Sequence, residues 1–123
     1  MKVDVTLTKY DLLTGEVMTL AKGPGNLKEE SLTYYELSNP VVKHEITFSQ
    51  ERILLRRFAE IESETELLTE GIGHSHIHSP YGTMMVETEL KGYEKGNDYY
   101  LVEYVIKSDG EIVSHQKMLW EIK

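Results

Sequence analysis

Cysteine is absent from the 123-residue chain. That excludes disulfides, thiolate metal sites and a cysteine nucleophile, and it fits the cytoplasmic location expected for this chain. Proline is scarce, with three residues, and it falls singly, as does glycine, so neither marks a linker. No apolar run approaches the roughly 20 residues of a spanning helix, so no membrane partner is expected. The start, MKVDVTLTKYDLL, lacks the continuous apolar core of a secretory signal. Basic residues are in the minority, 13 against 21 acids, for a net charge of -8. Such a surface repels phosphates, which argues against nucleic acid. The one basic cluster, Arg52, Arg56 and Arg57, is too small for a binding stripe. Serine nucleophile elbows, phosphate-cradling glycine loops and zinc-protease helix motifs are also missing. The expectation is therefore a non-enzymatic protein without a cofactor.

What is present is a globular balance, with 40% hydrophobic and 28% charged residues, read as one domain over 1–123. Alternation dominates. Val3, Val5 and Leu7 alternate with polar residues. Val42, His44, Ile46 and Phe48 form another such row, and Met84, Val86, Thr88 and Leu90 a third. A period of two places successive side chains on opposite faces, the mark of a half-buried strand. At the C-terminus, Tyr100, Val102, Tyr104 and Ile106 precede Ser108-Asp109-Gly110-Glu111. Asp-Gly supplies the positive φ angles of a tight hairpin turn. The return strand offers Ile112, Met118, Trp120 and Ile122 on one face. Residues 81–123 thus read as a three-stranded antiparallel meander. Residues 49–68 are ambiguous. They are rich in helix formers, yet Ile53, Leu55, Arg57, Ala59 and Ile61 also alternate as in a strand.

Arg57, then Ser79-Pro80-Tyr81-Gly82-Thr83, Thr88, Tyr104 and Met118, in that order, resemble the YwiB-like family of small bacterial proteins. The resemblance implies an all-β fold, a single antiparallel calycin/lipocalin-like β-barrel of about 8–10 strands, with residues 52–70 as strands. It implies no activity. Phe58-Ala59 stand where the family tends to have a small residue and glycine, and the three histidines below lie outside its pattern.

His74, His76 and His78 stand two apart. On a strand they share one face, and the outer pair is about 13 Å apart along the chain. One ion cannot reach both. With Ser75 and Ile77 on the other parity, the histidines are expected to point to solvent, offering adventitious binding of Ni²⁺ or Zn²⁺ and no dedicated metal site. Glu60, Glu62, Glu64, Glu66 and Glu70 likewise suggest an outward acidic face.

Arg57 and His44 are more informative, because each sits in an apolar row. A buried cation needs an anionic companion. Either an internal Glu or backbone carbonyls near one barrel end supply it, or the carboxylate or phosphate of a ligand does, matched by the planar guanidinium. Tyr34, Tyr100 and Tyr104 are candidates to line the same space. The expected function is binding of a small anionic or amphipathic ligand in the lumen. The alternative is a non-catalytic interaction module with a filled barrel, acting as a homodimer.

Overall fold

The computed structural model describes residues 1–123 and contains no helix. Its ten strands are β1 (Lys2–Asp11), β2 (Val17–Lys28), β3 (Ser31–Tyr35), β4 (Lys43–Phe48), β5 (Arg52–Phe58), β6 (Glu62–Leu68), β7 (Gly73–Ser79), β8 (Gly82–Lys95), β9 (Tyr99–Ser108) and β10 (Glu111–Ile122). Each pairs antiparallel with its chain neighbour, and β1 also pairs with β10, so the sheet closes on itself. Closure removes the unpaired edges that an open sheet would present.

The alternation seen in the sequence becomes inside against outside. Val3, Val5 and Leu7 of β1, Leu32 and Tyr34 of β3, Ile46 and Phe48 of β4, and Tyr100, Val102 and Tyr104 of β9 are all buried. Together with Ile53, Leu67, Met118 and Trp120 they form one core cluster that fills most of the lumen. The expected meander is β8, β9 and β10, with Asp109 (φ 52°) and Gly110 (φ 80°) in its turn.

The ambiguous segment is two strands. Ile53 and Leu67 are cross-strand partners and fully buried. The outward pairs are ionic: Arg52 Nη1 donates to Glu66 Oε2 at 2.9 Å, and Arg56 Nε lies 3.2 Å from Glu64 Oε2. Helix propensity loses here because strand pairing buries both apolar rows at once. The arginine row is shorter than its alternation suggests. It ends at Arg57, since β5 stops at Phe58, and Ile61 is a turn residue that is 51% exposed. Bulges interrupt the register at three places, the third between Leu90 and Gly92 of β8. One between Ile112 and Ser114 turns Ile112 out of the face shared by Met118 and Trp120, because an extra residue reverses strand parity. Another between Leu7 and Thr8 falls opposite Leu20 of β2.

Candidate functional site

One end of the barrel carries the 12–16, 36–42, 59–61, 80–81 and 109–110 turns, and the other carries both termini. Arg57, His44 and Tyr34 belong to the first end. They occupy successive inward positions of β5, β4 and β3, with His44 directly opposite both Arg57 and Tyr34. Inward neighbours on adjacent antiparallel strands lie within about 5.5 Å at Cβ, so strand pairing alone brings them together. The Tyr34 ring stacks on His44 with centroids 5.1 Å apart and planes 11° off parallel.

Glu36, just past β3, completes the group. Its Oε1 accepts hydrogen bonds from Arg57 Nε at 2.6 Å and from His44 Nε2 at 2.8 Å. Arg57 Nη1 also donates to the Ile61 carbonyl at 3.0 Å, tying down the β5–β6 turn. The companion that Arg57 requires is thus a residue of this chain. Partial burial raises the Glu36 carboxyl, but the hydrogen bonds from Arg57 and His44 outweigh it, and the group sits below the usual glutamate range. Sequence reasoning missed Glu36. It lies just past β3, where alternation no longer assigns a side.

Behind this pair lie two buried phenols. Tyr34 OH accepts from Trp120 Nε1 at 3.0 Å, and Tyr104 OH accepts from the Gln116 amide. Burial pushes the Tyr34 phenol well up, against the Trp120 hydrogen bond. Burial likewise pushes Tyr104 up to about 12, against the Gln116 hydrogen bond. Both hydroxyls remain protonated at neutral pH and can donate. A cavity of about 130 Å³ opens at this end, lined by Arg57, His44, Tyr34 and Tyr104 together with apolar Leu7, Leu20, Leu55 and Met118.

Tyr100 lies apart from this group. Its ring stacks on Phe48 at 3.9 Å toward the other end, with Lys95 Nζ 5.7 Å from its centroid. The histidine row sits on the outer face of β7, with Ser75 buried on the opposite parity. His74, His76 and His78 face Glu87, Glu64 and Glu62 across the sheet. The His76 and His78 rings stack 6.4 Å apart. No group of three His, Asp or Glu side chains is arranged to hold a metal ion.

Fold and site together describe a ten-stranded antiparallel barrel, filled at one end and carrying a charge-compensated polar cavity at the other. Among solved structures, the chain is similar to the ywiB protein from Bacillus subtilis. The TM-score is 0.64 and the sequence identity 16%, over 98% of this chain and 89% of that one. That likeness supports the YwiB-like resemblance of the sequence at the level of fold alone. No family model matches the sequence, and no curated protein matches it.

Proposed function

We propose that this protein binds a small amphipathic molecule whose polar head accepts hydrogen bonds, held at the Arg57 end of the barrel. The mixed lining of the cavity carries this reading. Arg57, His44 and two protonated phenols stand beside four aliphatic or thioether side chains, the pattern of an apolar site with a few convergent polar groups. The size of the cavity limits the ligand. Its 130 Å³ is close to the roughly 150 Å³ void that takes up one benzene. A head of about six heavy atoms fits, and any longer chain must leave through the mouth. Because Glu36 already neutralises Arg57, the head need not be a full anion. An acid or an amide suits the remaining guanidinium donors.

The test compares hexanoate, hexanamide and hexylamine by nuclear magnetic resonance titration. Hexanamide and hexanoate are expected to move the Tyr34, His44 and Tyr104 signals, hexylamine is not, and Arg57→Met should abolish the response. Signals that stay fixed at millimolar ligand, or that move equally with the amine, would overturn the reading.

A further inference from the structure

The large apolar side chains left exposed on this molecule are not scattered. All except Met1, Ile72 and Tyr93 lie in the half of the barrel that carries Arg57. Leu12 and Leu13 top the β1–β2 turn, Leu37 and Val41 the β3–β4 loop, Ile61 the β5–β6 turn, and Tyr81, which is 99% exposed, the β7–β8 turn. A groove of about 330 Å³ runs between two of these turns, floored by Val41, Phe58, Ala59 and Ile61. Isolated apolar residues on a surface are ordinary. A contiguous set at one end marks an interaction surface.

Charge identifies the occupant. The turns and strand ends at this rim carry Glu16, Glu60, Glu62, Asp109 and Glu111, none of which has an ion partner among the salt bridges of the molecule. Of the nearby cations, Arg57 is engaged by Glu36, Lys107 by Glu89, and Lys43 lies over the Phe58 ring at 5.6 Å; Lys9, near the end of β1, has no salt bridge but is outnumbered by the free carboxylates. A second copy of this chain would set one acidic fringe against another, and an anionic lipid surface would be repelled in the same way. We propose that this rim docks a cationic amphipathic segment of another protein, its apolar face laid in the Val41–Phe58–Ile61 groove and its basic residues against the free carboxylates.

The test uses two synthetic helical peptides of roughly 15 residues, Lys/Leu and Glu/Leu, with the polar residues on one face. Binding is followed by fluorescence anisotropy. The Lys/Leu peptide should bind the native protein at roughly micromolar strength, and the Glu/Leu peptide at least about tenfold more weakly. Nonspecific attraction to an acidic protein is separated by uncharged substitutions. Val41→Ser with Ile61→Ser should weaken Lys/Leu binding about tenfold, while Ile72→Ser at the opposite end should leave it unchanged. Both sites are exposed, so folding should survive, and unfolding curves check this. Amide shift mapping on the unsubstituted protein gives an independent readout at residues 37–43 and 58–62. Equal binding of both peptides, indifference to Val41→Ser with Ile61→Ser, or shifts confined elsewhere would overturn the proposal. So would flotation with neutral phosphatidylcholine vesicles, or a concentration-dependent dimer, if those substitutions abolished it.

Discussion

The two ends of this barrel solve the same closure problem with opposite chemistry. At the end bearing the termini, Phe48 stacks between Tyr100 at 3.9 Å and Tyr93 at 5.8 Å, with the Trp120 ring edge-on at 6.1 Å. Aromatic area fills the lumen there, and the exterior carries few exposed apolar groups. At the Arg57 end the interior holds an ion pair, an imidazole and two phenols, and the apolar side chains sit outside on the turns. Aromatic packing fills the lumen at one end, with a surface groove of about 500 Å³ beside Phe48, Tyr93 and Lys95 at its mouth, while polar bonds hold the other. An inverted distribution of this kind is costly for folding alone, and the ligand and docking rim proposed above are readings of that cost.

The sharpest way to break the comparison is Phe48→Ala. Removing a fully packed aromatic should cost about 3–5 kcal/mol, read as a drop in the urea midpoint with unchanged slope. If it costs no more than a substitution at the polar end, the two ends do not differ in the way described. Glu36→Gln comes next. It leaves Arg57 and His44 a neutral amide oxygen in place of their shared carboxylate, and the charged hydrogen bonds that are weakened are worth about 1.5–3 kcal/mol in full. The effect carries a pH signature. The folded carboxyl titrates below its ordinary value of 4.5, so its contribution is fully present above that value and is lost as pH falls through the folded one. The gap between native and Glu36→Gln stability should therefore be constant near neutrality and close in acid. A gap that widens in acid would refute the assigned ion pair.

Much of this arrangement is visible in the residues themselves. Val3-Val5-Leu7, Val42-His44-Ile46-Phe48 and the Tyr100–Ile106 row all take the faces their alternation assigns, because each buries apolar area on one side only. The outward histidines follow from the same parity. What alternation does not report is height along the barrel axis. Tyr100 and Tyr104 share a face, but four residues of strand separate them by about 13 Å, and only Tyr104 reaches the cavity. Glu36 escaped for a different reason: it lies in a loop, where no period assigns a side. The Ile112 error came from a bulge, which costs one residue and reverses every parity beyond it. Residues 49–68 were ambiguous because helix propensity and strand alternation are both local, and the choice between them is made by β4 and β7, distant in sequence.

Between the two ends lies the Trp120–Tyr34 hydrogen bond, which links the packed half to the polar half. Tyr34→Phe removes the acceptor of a buried indole N–H, and the expected loss is about 1–2 kcal/mol. Because Phe preserves the stack on His44, the cost should appear in stability while the Glu36 pH signature stays as it is. Loss of that signature too would show that the phenol, and not the strand register, positions His44.

The smallest effect belongs to the counterpart ion pair. Lys95 Nζ lies 3.0 Å from Glu30 Oε1 at the aromatic end, with the two side chains 46% and 50% exposed, against 35% and 18% for Arg57 and Glu36. The Glu30 hydrogen bond raises the Lys95 ammonium above its usual range. Water and salt screen such a pair, so little of that shift becomes stability. Lys95→Met should be nearly silent in urea unfolding, and silent altogether at roughly 1 M salt, where the Debye length shrinks to about 3 Å. The Glu36→Gln deficit should survive the same salt, since its donors are partly buried and geometrically fixed. If both deficits vanish together, exposure does not separate the two pairs, and Arg57 is no better held than a surface lysine.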